Sequence, residues 1–382
     1  MRFIHTADWH LGRQFHNFSL IEDQRHVLEQ LVALAREAEA DAFVIAGDVF
    51  DRAVPGPEAV ALLDECLAEL VLHLGIPVIM IAGNHDSGRR LSFAARLLAR
   101  AGLYVFGQYD GPPRFVVLAD RFGPVHFVGM PFAEPALVRE ASGESELQNH
   151  AQAMAWLSRV AREAIPAAER SVCVAHCFVA GGEESESERP LSVGGAAAVP
   201  RDCFAGFSYT ALGHLHRPQA IGRRIHYAGS LLKYSFSEIP HRKSANLVTL
   251  DAAGLPGIER LPLVPRRDVR LVEGELATLL KGPAPGDDPE DFLLVRLTDA
   301  RELLEPMARL REVYPNVLHI ERPTLSQPGA DALRAHHHDG GDRELFAAFF
   351  EQVTGAPLTA AQDAAFMEAY DALLHQDREA QQ

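Results

Sequence analysis

Five short apolar runs in this chain each end directly in polar side chains that can bind a metal ion. The polar residues that follow the runs are, in chain order, Asp8 and His10, Asp48 and Asp51, Asn84, His85 and Asp86, His176, and His214 and His216. An apolar run of this length is typical of a buried strand. A polar group at a buried strand end needs a partner, because leaving it unpaired costs free energy. The chain must therefore fold so that these strand ends find partners.

The alternation of strand and helix patterns predicts the fold class. Strand candidates are residues 2–7, 42–46, 77–82, 125–130, 171–175 and 208–212, and helical periodicity covers 22–40, 58–74 and 89–101. Strands separated by helices predict an α/β layered fold whose sheets are covered on their faces. In such sheets the carboxyl ends of the strands converge on one crevice, where ligands bind. The polar residues are therefore expected to meet at one rim.

The chemistry of these side chains favours a pair of cations. They are carboxylates, an amide and imidazoles, without a thiolate, and such donors suit manganese, iron or zinc better than a thiolate-rich structural zinc site. Their number exceeds what one ion needs, so two ions about 3.5–4 Å apart, bridged by a shared carboxylate, fit the set. A glycine precedes Asp48, Asn84 and His214, and each glycine is expected to allow a tight turn. Asp-x-His and Gly-Asp-x-x-Asp alone are typical of an ordinary loop or cap. Gly-Asn-His-Asp and Gly-His-x-His are more specific, and the joint order of all the motifs carries this prediction.

Composition limits the remaining function classes. The 382 residues are 47% hydrophobic, and the formal net charge of −16 argues against a general nucleic-acid coat protein. No apolar stretch reaches 18 residues, and the first ten residues lack the apolar segment of a signal peptide. We therefore expect no membrane segment and a cytoplasmic location. Cys173 and Cys177 flank His176, but Cys173 lies in an apolar run, where a free thiol behaves as a small hydrophobe rather than a metal ligand.

Changes in sequence texture predict three segments. Residues 1–262 hold all the strand-end motifs, 263–335 form a small second unit, and 336–382 form a helical tail. Within the first segment, 181–197 is rich in Gly, Ser and Glu and predicts a solvated loop. The tail carries an aromatic-rich face made of Phe346, Phe349, Phe350, Val353, Phe366, Met367 and Tyr370. This face either docks onto the second unit or binds a partner protein, and His336–His338 form either a polar loop or a regulatory metal site.

The motifs together resemble a known family. Asp-x-His, Gly-Asp-x-x-Asp, Gly-Asn-His-Asp, a lone strand-end His and Gly-His-x-His follow one another in the order typical of calcineurin-like metallophosphoesterases. Within that superfamily, the chain is similar to the nuclease subunits of bacterial SbcCD-type complexes in TADWHLGRQFHNFSLIEDQ, AGDVFDRAVP, GGEESESERPLSVGG, YTALGHLHRPQ and YAGSLLKYSFSE. The resemblance is strong over residues 1–250, weak over 264–335 and moderate over 341–375. It implies a metallophosphoesterase layered sandwich with a small α/β cap domain and a helical C-terminal tail.

The resemblance also implies a role for each site residue. One metal ion is held by Asp8, His10 and His216, the other by Asn84, His176 and His214, and both are bridged by Asp48. His85 is the family's histidine that faces the scissile phosphate without binding metal. Asp86 is expected to orient His85 or an adjacent loop, and Asp51 is expected to support a metal ligand by hydrogen bonding.

The activity that the resemblance implies is manganese-dependent hydrolysis of DNA, as a 3′→5′ exonuclease on double strands and an endonuclease on single strands and hairpins. It implies a homodimer, formed through helices between Asp51 and Arg100, that joins two SbcC-type coiled-coil ATPase subunits in a heterotetramer. The implied roles are recombination, replication and repair. The cations that could meet DNA phosphates are Arg13, Arg52, Arg89, Arg90, Arg217, Lys233, Arg242 and Lys243. The alternatives are a phosphodiesterase for nucleotides or other small phosphodiesters, and a scaffold without catalytic activity.

Overall fold

The structure, a computed structural model, describes residues 1–111, 113–188, 198–301, 303–323, 346–347, 350 and 357–367. Its strands are β1 Arg2–Thr6, β2 Gln14–Phe15, β3 Phe18–Ser19, β4 Ala42–Ala46, β5 Val78–Ile81, β6 Leu103–Phe106, β7 Arg114–Asp120, β8 Gly123–Met130, β9 Arg170–His176, β10 Tyr209–Gly213, β11 Gln219–Ala220, β12 Ile225–Tyr227, β13 Ser244–Leu250, β14 Pro256–Pro262, β15 Val269–Gly274, β16 Phe292–Leu297 and β17 Val317–Glu321. Its named helices are α1 Ile21–Glu37, α2 Pro57–Ala68 with a π-helix at Glu69–His73, α3 Gly88–Leu91, α4 Ala95–Leu98, α5 Pro135–Ser142, α6 His150–Glu163, α7 Leu276–Leu279 and α8 Pro306–Arg311.

Two six-stranded sheets lie in the first unit of the chain, which comprises Met1–Leu271 and Glu290–Phe292. Sheet 1 has the order β14-β13-β1-β4-β5-β6, with β1, β4, β5 and β6 parallel and β13 antiparallel to β1. Sheet 2 has the order β11-β12-β10-β9-β8-β7, with β12, β10, β9 and β8 parallel and an antiparallel strand at each edge. Parallel neighbours need a crossover connection, which α1 supplies between β1 and β4, and α2 between β4 and β5.

The main apolar core lies between the two sheets. Phe3 of β1 meets the rings of Phe127 and Tyr209 from sheet 2, with ring centroids 5.5 and 5.7 Å away. A second cluster lies on the other face of sheet 2, where Met154 of α6 is buried with Cys173 of β9. Both faces of sheet 2 are therefore covered, which is why its central strands are continuous apolar runs. This architecture confirms the predicted α/β class.

The helix predicted over 89–101 is interrupted, and that prediction is wrong in detail. The turns α3 and α4 are separate, because Ala94 between them takes the left-handed conformation with a φ of 56°. Phe93 beside it is 81% exposed. Periodicity reports a repeating apolar face but not a single residue that breaks the helix. The helices predicted over 22–40 and 58–74 are confirmed as α1 and as α2 with its π-helix.

A second unit comprises Val272–Pro289 and Leu293–Gln382. Its sheet has the order β15-β16-β17, and β16 and β17 are parallel with α8 between them in sequence. Buried Leu293, Leu310 and Val317 belong to a core of its own. The strands β16 and β17 with α8 thus form a small βαβ structure, and β15 adds a third strand to its sheet. The three predicted segments, with boundaries after residues 262 and 335, stay predictions.

Only parts of the C-terminal tail belong to the described residues. Residues 360–367 are helical, and the rings of Phe346 and Phe366 stack with their centroids 3.9 Å apart. Two members of the predicted aromatic face therefore pack on each other. Outside the described residues lie Phe349, Val353, Tyr370 and His336–His338. Within the part of the chain that the structure describes, no helix combines the length and apolar character that a membrane crossing requires.

Candidate metal centre

Strand ends from both sheets deliver the predicted ligands to one place. The ligands are Asp8 and His10 after β1, Asp48 after β4, Asn84 after β5, His176 at the end of β9, and His214 and His216 after β10. His176 Nδ1 lies 2.9 Å from the carbonyl oxygen of Ala46 at the end of β4, so the two sheets touch directly here. The sequence predicted one rim. The structure forms it from the carboxyl ends of two stacked sheets.

Glycines beside the ligands leave room for the opposite sheet. A Cβ atom on Gly47 would lie 2.3 Å from His176 Nδ1, and one on Gly83 would lie 2.1 Å from Asp48 Oδ1. A Cβ atom on Gly213 would meet a backbone carbonyl oxygen at 2.0 Å. Only Gly47 also has a left-handed backbone, with a φ of 91°. The sequence predicted that Gly83 and Gly213 allow tight turns. In the structure, glycine is required at these two positions because neighbouring atoms approach too closely for a Cβ atom.

Four of the seven predicted ligands have a left-handed backbone. The φ angles are 52° at Asp8, 47° at His10, 49° at Asp48 and 105° at His214. Residues other than glycine rarely adopt this region, which costs about 1–3 kcal/mol each and is concentrated at active sites. Backbone hydrogen bonds hold the conformation, for example from His10 N–H to the carbonyl oxygen of Asp48 at 2.9 Å. The fold therefore maintains a strained backbone at these four residues, and that backbone sets the direction of their side chains.

One group of donors surrounds Asn84. Its Oδ1 lies 3.0 Å from His176 Nε2 and 3.3 Å from His214 Nδ1. His176 Nε2 is also 3.4 Å from Asp48 Oδ2. Because His176 Nδ1 donates its proton to a backbone carbonyl, Nε2 is the ring nitrogen that faces the two oxygen atoms. Atoms of this kind repel one another at such distances unless a proton or a metal cation lies among them.

The second group pairs two imidazoles. His10 Nε2 and His216 Nε2 lie 3.1 Å apart, and His10 Nε2 is 3.7 Å from Asp48 Oδ2. Asp48 Oδ2 therefore borders both groups, which is the position of a carboxylate that bridges two metal ions.

Some of the predicted ligands carry buried polar atoms without hydrogen-bond partners. Among the described residues, they include Asp8 Oδ2 and His214 Nε2. Native proteins rarely leave such atoms unpaired. Ligand atoms of Asp8, Asp48 and His176 lie within 4.8 Å of one another, and the whole set consists of nitrogen and oxygen donors. The residues present therefore fit a two-cation centre, and the division of individual ligands between the two ions stays our prediction.

Burial and neighbouring charges move the pKa values of the ligands apart. Burial raises the pKa of Asp8 to about 7, although His176 and His216 oppose the shift. Burial would also raise the pKa of Asp48, but the adjacent imidazoles hold that pKa well below its usual range. Burial lowers the pKa of His176, and the Asp48 carboxylate reverses this and raises it to about 9. Protons therefore compete with cations for Asp8 and His176.

His85 lies beside the two donor groups. Its Nδ1 donates to the carbonyl oxygen of Asp51 at 2.9 Å, which leaves Nε2 as the free ring nitrogen. The ring packs edge-on against His10, with centroids 4.6 Å apart. His85 also lines a cavity of about 530 Å³ together with Arg13 and Arg52. A histidine at the mouth of a cavity, with one nitrogen fixed and the other free, can transfer a proton to a substrate there.

Asp86 fastens two loops. Its Oδ2 accepts hydrogen bonds from the backbone N–H groups of Val49 at 3.0 Å and Gly83 at 2.9 Å. Its Oδ1 accepts from the N–H of Phe50 at 2.9 Å. Asp86 thus joins the loop after β4 to the loop after β5. Of the two roles expected for it, the geometry favours orienting an adjacent loop.

Asp51 lies behind His10. Its Oδ1 is 3.8 Å from His10 Nδ1 and 3.1 Å from the guanidinium of Arg13. The ligand atoms of His10, Asp51 and His85 also lie within 4.8 Å of one another. Because Arg13 already neutralises the Asp51 carboxylate, a further cation at this trio is disfavoured. The position of Asp51 suits the supporting role expected for it.

Several residues that hold the centre were not singled out from the sequence. Gln24 Nε2 donates to the carbonyl oxygens of Trp9 at 3.0 Å and His10 at 2.8 Å, and Tyr234 OH donates to that of Trp9 at 2.6 Å. A second set surrounds His216 and consists of Ser187, Glu188, Glu238 and Lys243. Within stretches that carry the family resemblance lie Gln24, Ser187, Glu188, Tyr234 and Glu238, and that was the available signal.

The loop predicted as solvated over 181–197 is anchored in its described part, residues 181–188. Glu188 is buried, and its Oε1 accepts from the backbone N–H of His216 at 2.7 Å. Lys243, expected as a DNA-binding cation, is buried as well and lies 2.5 Å from Glu238 Oε2. The prediction for Lys243 is wrong, and Glu188 is the buried exception in a described stretch, residues 181–188, that is otherwise exposed or half-buried. Composition cannot show that a charged residue has a buried partner far away in the sequence.

Other expected DNA-binding cations are already paired with acids. Lys233 Nζ lies 2.8 Å from Asp268 Oδ1, and Arg217 forms an ion pair with Glu183. The Arg52 Nε lies 3.7 Å from Asp51 Oδ2, but its side chain is 77% exposed and lines the cavity beside His85. Arg52 is therefore an expected cation that lies beside the candidate centre and is also accessible to solvent.

Cys173 and Cys177 behave as core residues. Both are buried in the apolar cluster of sheet 2, and burial raises the pKa of each thiol. Neither thiol belongs to a group of potential metal ligands among the described residues. The prediction of small hydrophobes is confirmed.

Comparison with known proteins agrees with this geometry. Residues 1–218 match the family model for calcineurin-like phosphoesterases, and 265–354 match the model described as Type 5 capsule protein repressor C-terminal domain. A Staphylococcus saprophyticus protein named as the SbcD subunit of the nuclease SbcCD is 32% identical over 383 residues, which cover 98% of this chain and 99% of that protein. A Staphylococcus epidermidis protein of the same name is 32% identical over 319 residues, 83% of this chain and 84% of its own. A solved Thermus thermophilus protein superposes with a TM-score of 0.38 at 14% identity, over 68% of this chain and 98% of its own, a similarity too weak to add to the assignment.

Proposed function

This chain belongs to the SbcD family of calcineurin-like phosphoesterases, and from this membership we propose that it is the nuclease subunit of an SbcCD-type complex. It hydrolyses phosphodiester bonds of DNA at a centre for two divalent cations. The observation that carries this function is the convergence of two nitrogen- and oxygen-donor groups that share Asp48 Oδ2. The site rather than the fold decides the activity, since one fold hosts many functions.

We assign the ligands to the two cations as the family resemblance implies. One cation would be held by Asp8, His10 and His216, the other by Asn84, His176 and His214, and both by Asp48. When bound, two such cations neutralise charge on the phosphate oxygens and lower the pKa of a water molecule. The left-handed loops and the buried backbone hydrogen bonds fix the donors in advance, so that little reorganisation accompanies the reaction.

His85 is the residue that we assign to the leaving group. Since its Nδ1 proton is fixed on the carbonyl oxygen of Asp51, Nε2 is the nitrogen that carries a proton to the departing 3′-oxygen. Arg13 and Arg52 line the same cavity and are assigned to the phosphates beside the scissile one. Such contacts position a strand without reading its sequence.

The finer properties of the activity follow the family. We assign manganese as the metal from the family resemblance, and the imidazole, carboxylate and amide donors are compatible with it, as they are with iron or zinc. We assign 3′→5′ exonuclease action on double strands, endonuclease action on single strands and hairpins, and a role in recombination, replication and repair in the cytoplasm. A phosphodiesterase for small substrates is the alternative, but a second folded unit and a helical tail are more than a small substrate needs.

A direct test compares substrates. The full chain is incubated with Mn²⁺ and end-labelled duplex or hairpin DNA, or with bis-p-nitrophenyl phosphate or a cyclic nucleotide, with and without the ATPase partner. We expect DNA to be the preferred substrate by kcat/KM and a chelator to abolish its cleavage. Preferred turnover of the small substrates would replace the proposal with the alternative. Inactivity towards every substrate would favour a scaffold.

The ATPase partner is assigned to the C-terminal tail. Phe346 and Phe366 stack on each other, which brings two parts of the tail together. Met367, next in the helix of residues 360–367, is only partly buried. An amphipathic helical surface of this kind suits helix-in-groove recognition. We therefore infer that the tail binds the coiled coil of an SbcC-type subunit.

The homodimer is assigned to an apolar face near α2 and α4. Its exposed side chains are Val54, Val60, Leu72, Phe93 and Leu97. Of these, Val60, Leu72 and Phe93 line a groove of about 540 Å³. Contiguous exposed apolar surface of this kind marks association sites in soluble proteins. Two copies of the chain that bury this face against each other, with one ATPase subunit each, give the heterotetramer of the family.

Replacing Phe93 with glutamate is expected to convert the dimer to a monomer. Phe93 is the most exposed large side chain of the face, and a charge there would be buried without a partner in the dimer. The mass in solution, measured by light scattering during gel filtration, should fall from two chains to one. Leu255→Glu, at an exposed apolar residue elsewhere, should leave the dimer intact. A dimer that survives Phe93→Glu would assign the interface to another surface.

A further inference from the structure

Polar groups form a network around His216, on the side of its ring that faces away from the predicted metal. His216 Nε2 faces His10 Nε2 at 3.1 Å. On the other side of the ring, His216 Nδ1 lies 2.6 Å from Ser187 Oγ and 3.3 Å from Glu238 Oε1. The Ser187 hydroxyl donates to the same Glu238 oxygen. The ring therefore has a hydroxyl and a carboxylate on one nitrogen and the candidate metal position on the other.

The carboxylate in this network is fully enclosed. Glu238 is 0% exposed, and its second oxygen lies 2.5 Å from the ammonium of Lys243. Lys243 also donates to the carbonyl oxygen of His216 and to Ser230 Oγ, each at 2.8 Å. The free-energy cost of removing two charges from water often exceeds the gain from their attraction, so a buried ion pair contributes little to stability. The fixed geometry of the Glu238–Lys243 pair therefore indicates a role other than stabilising the fold.

We propose that Glu238 and Ser187 are positioning residues that hold His216 as the tautomer with its proton on Nδ1, so that Nε2 presents its lone pair to a divalent cation. Ser187 Oγ accepts a hydrogen bond from the Nδ1–H of His216, and the Ser187 hydroxyl donates its own hydrogen to Glu238 Oε1. Lys243 keeps the carboxylate in place and at the same time fixes the backbone of His216. An acceptor on the outer nitrogen of a metal-binding histidine sets its tautomer and orientation.

The same network connects the centre to the segment of residues 183–188. His216 N–H donates to Glu188 Oε1 at 2.7 Å, and Glu186 N–H donates to Ser237 Oγ, next to Glu238, at 3.1 Å. The segment thus contacts His216 twice, once through a backbone bond and once through Ser187. Displacement of the segment would release His216 Nδ1 from its hydroxyl acceptor. Metal affinity at the His216 position should therefore report whether this segment is docked.

The inference rests on the proposed function, since it names support for one ligand of that centre. Binding of Mn²⁺ to the full chain is titrated by electron paramagnetic resonance of the free ion. Glu238→Gln and Ser187→Ala are each expected to weaken one of two binding events by about 10–100-fold, with the other event unchanged. Glu183→Gln, at an exposed glutamate of the same segment paired with Arg217, is the matched control and should bind as the unaltered chain does.

A second readout separates positioning from general stability. Histidine ring nitrogens of the chain without added metal are observed by long-range proton–nitrogen correlation, and His216 is identified by its absence from His216→Ala. The unaltered chain should show the Nδ1–H form at His216, and both variants should show a mixture of tautomers. Ser187→Ala leaves the Glu238–Lys243 pair intact, so its unfolding temperature should be unchanged. If Glu238→Gln does not fold, Ser187→Ala alone decides the outcome.

The two proposals fail differently. If His216→Ala leaves both Mn²⁺ binding events unchanged, the assigned metal centre is wrong and the proposed function falls with it. If His216→Ala weakens one event, but Ser187→Ala and any folded Glu238→Gln protein retain full affinity and the Nδ1–H tautomer, only the positioning role is wrong. Loss of both binding events in Ser187→Ala would likewise overturn it, because the network contacts one ligand only.

Discussion

Replacing Asp48 with asparagine is expected to lower the rate of DNA cleavage by about 10³-fold or more, which corresponds to about 4 kcal/mol of lost transition-state stabilisation. Asp48 Oδ2 lies 3.4 Å from His176 Nε2 and 3.7 Å from His10 Nε2. It therefore joins both donor groups, and the substitution removes the negative charge that the two cations would share. No other predicted ligand affects both positions in this way.

The measurement combines two quantities. Initial rates on hairpin DNA are recorded at saturating Mn²⁺, and the number of ions bound is obtained by titration of the same protein. We expect the variant to bind fewer ions and to stay folded, because asparagine keeps the Oδ1 that accepts from His85 N–H at 2.9 Å. Asp202→Asn, at a carboxylate whose side chain is 91% exposed, is the matched control. Two tightly bound ions and an unchanged rate in Asp48→Asn would contradict the bridging role.

The sequence identified the parts of this centre that have a local signature. Asp48, Asn84 and His176 each end a short apolar run, and the order of such endings along the chain is visible without a structure. The convergence of these endings also follows from parallel strands, since their carboxyl ends point the same way. Four further predicted ligands share the property. What the structure adds is that the strands belong to two sheets facing each other.

The supporting residues have no such signature. Glu238 ends a stretch that carries the family resemblance, but neither its position nor that of Lys243 indicates the contact between them. Ser187 lies in a segment whose composition predicts a loop exposed to water. Pairing between distant charges depends on tertiary structure, which one sequence does not report. The same limit explains Ala94, whose left-handed backbone interrupts an otherwise periodic helix pattern.

The second large effect is expected at His85. Replacing it with alanine should lower kcat for DNA by about 10²–10⁴-fold and leave the number of bound Mn²⁺ ions unchanged. The reason is that the His85 ring donates to a carbonyl oxygen of Asp51 through Nδ1 and keeps Nε2 for the substrate. Only the backbone N–H of His85 contacts Asp48, and alanine retains that bond. KM should change little, because the proton is transferred in the transition state rather than on binding.

The leaving group provides a sharper criterion than the rate alone. A 3′-oxygen of DNA is a poor leaving group that needs a proton, whereas p-nitrophenolate departs without one. If His85 acts as the general acid, His85→Ala should therefore lose much more activity on DNA than on bis-p-nitrophenyl phosphate. His73→Ala, at an exposed histidine of the π-helix, should lose nothing on either substrate. If His85→Ala instead loses equal activity on both substrates and binds one Mn²⁺ ion fewer, then His85 is a metal ligand, together with His10 and Asp51.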